Sequence, residues 1–211
     1  MGVQYRGCSH LYYAKVTEAA DGTLTFDTPV QLAPVKTVSR EISSDSEKIF
    51  ADNVLQEIMF GANAATRKFD TIKIADAIQS ELLGDTAVTI GSGQSEKTLY
   101  AGAPDGSVKP TVAVGYALHD GDASRPCMLV WTFLNKCTTI SLTSNTIDDG
   151  TGSEGQSVEF EGFNPKKAWT TTNKRECDIH ISLNTSVDNS TLVTKWFTQV
   201  VTPDNASTVL A

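Results

Sequence analysis

The chain is short of positive charge and concentrates what it has nowhere. Its 17 Lys and Arg residues stand against 25 Asp and Glu, a formal net charge of −8, and no stretch gathers cations into a stripe that could neutralise phosphates. Tight nucleic-acid binding is thereby disfavoured, although a like-charged wall lets a polyanion slide past. No apolar run reaches the about 18 residues of a membrane helix, and "MGVQYRGCSHLYYAK" holds no signal-like apolar stretch, so synthesis in the cytoplasm and no membrane contact are expected.

Catalytic and metal-binding patterns are also missing. His10, His119 and His180 fall in separate segments without an H-E-x-x-H frame, so no metal is expected. Cys8 or Ser9 beside His10 suggests a nucleophile with its base, but neighbours in a strand point to opposite faces, which argues against the hydrogen bond activation needs. There is no G-x-S-x-G elbow. "GSGQSE" is not a phosphate loop, and "DDGTGSEG", with Asp148, Asp149 and Glu154, lacks the spacing of a calcium loop and reads as a hairpin tip. Cys8, Cys127, Cys137 and Cys177 form no C-x-x-C pair. Were Cys127 and Cys137 in one extended strand they would lie roughly 33 Å apart, so free thiols in a reducing compartment are expected. Trp131, Trp169 and Trp196 sit within or beside strand patterns and suit core or subunit packing. No cofactor and no catalytic residue are expected.

What is present is strand. Alternation recurs at Val112, Val114, Tyr116 and Leu118, at Ile140 and Leu142, at Val158 and Phe160, and at Ile179, Ile181 and Leu183. "MLVWTFL", from Met128 to Leu134, is apolar on both faces and suits a central strand covered on each side. Gly-, Asp- and Asn-rich punctuation separates these runs, which is the pattern of hairpins rather than of βαβ units. One segment differs. In "IADAIQSELLGD", Ile74, Ala77, Ile78 and Leu82 recur at helical spacing and Gly84 stands where a left-handed cap belongs, predicting one helix over about 74–83. The acidic, Ser-rich "VSREISSDSEKIFADN" has too little apolar surface to order itself alone and reads as a mobile loop over about 40–53. The end, about 202–211, reads as a terminal arm. A single domain over residues 1–211, mainly β, is expected: a two-sheet β-sandwich or barrel-like fold with one flanking helix.

Taken in order, "LYYAKVTEAADGTLTFDTPVQLAP", "EKIFADN", "SELLGD", "PTVAVGYALHDGD" and "MLVWTFLNKC" resemble the major tail tube proteins of long-tailed phages with non-contractile tails. No single motif is diagnostic; the specificity lies in the order and spacing. The resemblance implies a non-enzymatic virion protein that joins copies of itself into hexameric rings stacked into a tube. Its partners would be the tape-measure protein, the tail tip and the tail terminator, with DNA only as passing cargo, and its place the virion tail. Carried over, Ser44, Asp45, Ser46, Glu47 and Lys48 belong to a ring-stacking loop, and Asp45, Glu47 and Asp52 are candidate lumen carboxylates that repel phosphate. The alternative is a carbohydrate-binding or adhesin β-sandwich with Trp169 and the Gly-rich loops as its site; a tail-associated hydrolase stands third.

Overall fold

The computed structural model describes residues 5, 7–51, 54–102, 109–120, 125–143 and 155–211, and over 43–64 and at 143 the backbone alone. The strands are β1 (Gly7–Glu18), β2 (Leu24–Phe26), β3 (Val30–Gln31), β4 (Val35–Ala51), β5 (Val54–Thr71), β6 (Thr86–Ile90), β7 (Lys97–Ala101), β8 (Thr111–His119), β9 (Pro126–Thr143), β10 (Gly155–Gly162) and β11 (Asp178–Ser182). The helices are α1 (Asp76–Leu83), α2 (Ser190–Thr198) and the short α3 (Ala206–Val209).

Nine strands form one antiparallel sheet, ordered β2-β1-β8-β9-β10-β5-β4, with β3 also on β1 and β11 also on β9; β6 and β7 form a separate ribbon. The sheet has to curl. Laid flat, the path from β1 to β4 spans about 24 Å at about 4.8 Å per strand. Yet β3, hydrogen-bonded to β1, is joined to β4 by residues 32–34 alone, a reach of at most about 14 Å. Leu32 donates to the Leu11 carbonyl and Ile72 to the Pro34 carbonyl, tying that link to both ends of the sheet. The barrel-like form is therefore the one this chain takes, built from one continuous sheet.

The curl divides the core in two. Inside it, Leu11, Tyr13, Phe69, Val112, Val114, Tyr116, Val158 and Phe160 pack together with Ile74 and Leu82, the latter from α1. Outside it, Ala113, Ala117, Leu129, Trp131 and Phe133 pack under Val193, Trp196 and Phe197 of α2. Alternation on β8 and β9 thus sends successive residues to different cores, which is why "MLVWTFL" is apolar throughout. Val112, Val114, Tyr116, Val158 and Phe160 are buried as their spacing predicts, whereas Leu142 stays 64% exposed.

α1 matches the expected helix and ends on Gly84 at φ 77°, a conformation that only glycine adopts without strain. Leu82 seats the helix in the inner core, and Lys15 of β1 pairs with Glu81 at 3.0 Å at its solvent side. Burial, with Glu81 beside it, pushes the Tyr13 hydroxyl up to about 12. Two features differ from the sequence reading. Residues 40–51, expected as a loop, belong to β4, because β5 supplies a ladder that composition alone does not show: Arg40 faces Arg67, Lys48 faces Ile58 and Ala51 faces Val54. The expected terminal arm is packed: Val201 and Thr202 are buried, and Ala206, Val209 and Leu210 pack on the outer core.

Candidate assembly surfaces

The hairpin of β4 and β5 outgrows the sheet. β10 pairs with β5 only over Ala65–Thr71, and among the described residues no third strand pairs with 43–64. Residues 43–51, paired back on 54–64, thus extend about 30 Å at about 3.3 Å per residue as a two-stranded arm. Four of the five residues assigned to the stacking loop have their partners on β5: Ser44 faces Asn63, Ser46 faces Phe60, Glu47 faces Met59 and Lys48 faces Ile58, while Asp45 falls at the register shift between Ser44 and Ser46. The five lie together on the arm, in a strand rather than a loop. Asp45 and Glu47, two apart on β4, are neighbours along it; Asp52 lies outside the described residues, as does the 148–154 segment. Such a ribbon is marginal in water by itself and gains stability from a surface to lie on.

The arm is rooted by a charge cluster that sequence reading missed. Arg40 and Arg67 stand opposite each other on β4 and β5, an arrangement that repels. Asp178 of β11 lies between them, 2.6 Å from Arg40 Nη2 and 3.3 Å from Arg67 Nη2. Arg67 has no exposed side-chain surface, and its Nη1 donates to the Asn135 Oδ1 at 3.1 Å. Gly162 leaves the guanidinium its space, since a Cβ there would fall 2.6 Å from Arg67 Nη1. The signal was hidden because Asp178 lies over a hundred residues in sequence from either arginine.

A second polar cluster corrects an expectation. Ser9 Oγ lies 2.6 Å from His10 Nδ1 and 2.7 Å from His119 Nε2. Adjacent residues meet here because β1 breaks register between Ser9 and Tyr12 and His10 takes φ 55°, so the alternation that should separate them is lost. The geometry pairs a hydroxyl with two possible bases, and among the described residues His119 Nδ1 has no hydrogen-bond partner, whereas a nucleophilic triad uses a third group to orient the base. Burial first, and the nearby His119 second, hold His10 below its ordinary range; Arg125 and Asp188 line the cavity that His10 opens onto.

The sign of the resulting pH dependence follows. A lowered imidazole pKa means that below about pH 6.5 the unfolded chain binds protons that the folded chain does not yet accept, so this contribution to stability is present above that value and is lost as pH falls. Exchanging His10 for Asn, which tolerates positive φ, is expected to flatten the decline in melting temperature between about pH 7.5 and about pH 5. Thermal scans of both chains at the two pH values check it; equal slopes would remove His10 from the account.

The remaining candidates are used in packing. Trp169 is 9% exposed, meets Phe133 edge-on at 4.8 Å and donates its Nε1–H to the Glu176 carbonyl at 2.9 Å. It does border a cavity of about 290 Å³ with Leu24, Lys167 and Asp204, but its ring is not presented as an open stacking platform. Cys8, Cys127, Cys137 and Cys177 are free thiols, and burial pushes Cys137 up to about 11. Among the described residues no group of three metal-ligating side chains assembles, and no helix is long and apolar enough to cross a membrane.

No protein-family profile matches the chain, and no curated protein matches it. Solved structures do. A chain of the sheath–tube complex of an extracellular contractile injection system, PVC, in its extended state aligns over 83% of this chain and 90% of its own at 10% identity and a TM-score of 0.44. A chain of the tube-terminating cap of the anti-feeding prophage aligns over 87% and 95%, at 10% identity and 0.44. A chain from that particle's baseplate aligns over 86% and 96%, at 7% identity and 0.37.

Proposed function

We propose that this chain is a structural subunit of a phage-tail-like tube, self-assembling into stacked rings around a lumen. The observation that carries this reading is the β4–β5 arm: a hairpin that continues about 30 Å past its own sheet, with its outer backbone edge unpaired among the described residues. Exposed edges are templates for another chain, and a soluble protein keeps so long a one only where pairing is the purpose. The sequence resemblance to siphophage major tail proteins points the same way. Hexameric rings, a tape-measure protein inside the tube, and tip and terminator proteins at its ends belong to this proposal.

In it the arm, including Ser44, Asp45, Ser46, Glu47 and Lys48, lies on the adjacent ring. Asp45, Glu47 and Asp52 then add negative charge toward the channel, where like charge keeps DNA from adhering. Ring-to-ring contact carries many arms at once, so weak individual docking sums to a stable tube.

Shortening the arm tests this reading. With residues 45–60 replaced by a two-residue turn, the chain is expected to keep its melting temperature within a few degrees, because the core residues described above come from other segments, yet to form no tubes by negative-stain microscopy where the full chain does. Tubes of unchanged length from the shortened chain would remove the arm from stacking. A full chain that stays monomeric at every concentration would overturn the tube itself.

A further inference from the structure

The β6–β7 ribbon has no work in the fold just described. Every residue of β6 is exposed, and so is β7 except for half-buried Tyr100. Val88 faces Leu99 and Ile90 faces Lys97, so Val88, Ile90 and Leu99 share one face. These three apolar side chains are 45%, 52% and 51% exposed. Two strands alone are marginal in water, and an apolar face on a protruding ribbon marks a contact surface.

A complementary surface lies at the other end of α1. Ile72 and Leu142, 54% and 64% exposed, flank a groove of about 300 Å³ with Lys73, Asp76, Gln79 and Gln156. Its two amides are each fixed through one group: Gln79 donates to the Ile74 carbonyl at 2.8 Å and Gln156 accepts from the Ile74 N–H. The groove offers an occupant the aliphatic surface of Ile72 and Leu142 at its rim, polar surface between them, and Lys73 and Asp76 beside it. The ribbon carries the matching set, an aliphatic face with Glu96 and Lys97 at its edge.

We infer that the ribbon of one copy seats in the Ile72–Leu142 groove of a second copy of this chain. Within one chain the two surfaces are held apart by α1, whose eight residues measure about 12 Å, with the ribbon following its C-terminus and the groove preceding its N-terminus. Two different patches that fit each other make a head-to-tail contact, which closes into a ring when the rotation permits. The inference rests on the tube reading and adds to it a contact separate from the arm.

Mixing two variants tests it. Leu99→Cys and Leu142→Cys chains, oxidised together, are expected to give a covalent dimer at least tenfold more abundant than either variant alone, with the unsubstituted chain and its four cysteines as background. Leu99→Lys is expected to reduce the assembled fraction at least tenfold without moving the melting temperature. Dimers as abundant from Leu99→Cys alone would mean that ribbon meets ribbon, overturning the groove. Absence of the mixed dimer from preparations in which the unsubstituted chain forms tubes would also overturn it, while leaving the tube reading intact. Failure of the unsubstituted chain to assemble sinks the tube reading instead, and the mixed dimer then decides the contact independently.

Discussion

Asp178→Ala is expected to destabilise the protein by about 3–5 kcal/mol, the cost of leaving a buried charge without its counterion. Arg67 has no exposed side-chain surface and Asp178 is its only carboxylate partner among the described ion pairs. Removing that carboxylate also leaves Arg40 and Arg67 opposed across the β4–β5 ladder with nothing between them. The Arg40 pair contributes less, because Arg40 is 36% exposed and solvent screens it. Asp178→Asn keeps an acceptor and is expected to lose less. The double variant Arg67→Met/Asp178→Ala is expected to recover much of the loss, since an apolar side chain of similar length no longer demands a charge. Urea unfolding of the four chains checks the series; an Asp178→Ala loss under about 1 kcal/mol would place the Arg67 charge within reach of water. The consequence reaches assembly, because β4 and β5 carry the arm and this cluster fixes their root.

Trp131→Ala is expected to cost about 3–5 kcal/mol, the range for deleting a buried large aromatic and leaving a cavity. Trp131 is fully buried. It lies over Gly115, where a Cβ would stand 2.8 Å from three of its ring atoms, meets Phe197 at 6.0 Å between ring centroids, and donates its Nε1–H to the Trp196 carbonyl at 2.9 Å. The residue therefore joins β8, β9 and α2 in one contact. Trp131→Phe keeps most of the apolar volume but leaves the Trp196 carbonyl without this donor, so a smaller loss is expected. Gly115→Ala approaches the same site from the other side and is expected to cost about 1–3 kcal/mol by overpacking. Denaturant midpoints, with tryptophan emission as a second probe, read all three; a Trp131→Ala chain as stable as the parent would mean that α2 is not held by this contact.

The strands of the barrel were legible because each buries a face with a fixed period. Val112, Val114 and Tyr116, or Val158 and Phe160, announce themselves without reference to any partner. α1 was legible for a similar reason, with its cap at Gly84. α2 was not, although Val193, Trp196 and Phe197 carry helical spacing: Thr191, Val193, Thr194 and Thr198 are β-branched and bias a local reading toward strand. Burial against the outer core overrides that preference.

The candidate surfaces were legible only in part. The residues Ser44 to Lys48, singled out on composition and resemblance, are consecutive positions of β4. Their strand form was not visible, because β4 is held by hydrogen bonds to the backbone of β5, and backbone donors and acceptors are the same for every sequence but proline. The Ser9, His10 and His119 contact required a break in register that local alternation does not encode.

By itself, then, the sequence determined the mainly β character, the position of α1, the inner-core residues of β8 and β10, and the lack of concentrated positive charge. These depend on the period and chemistry of neighbouring residues. Tertiary structure alone decided the closure of the sheet, the length of the arm, the Arg40–Asp178–Arg67 cluster and the pairing of Ser9 with two imidazoles. Each of those depends on which distant segments meet, and that is settled by the summed packing of both cores rather than by any one stretch of chain.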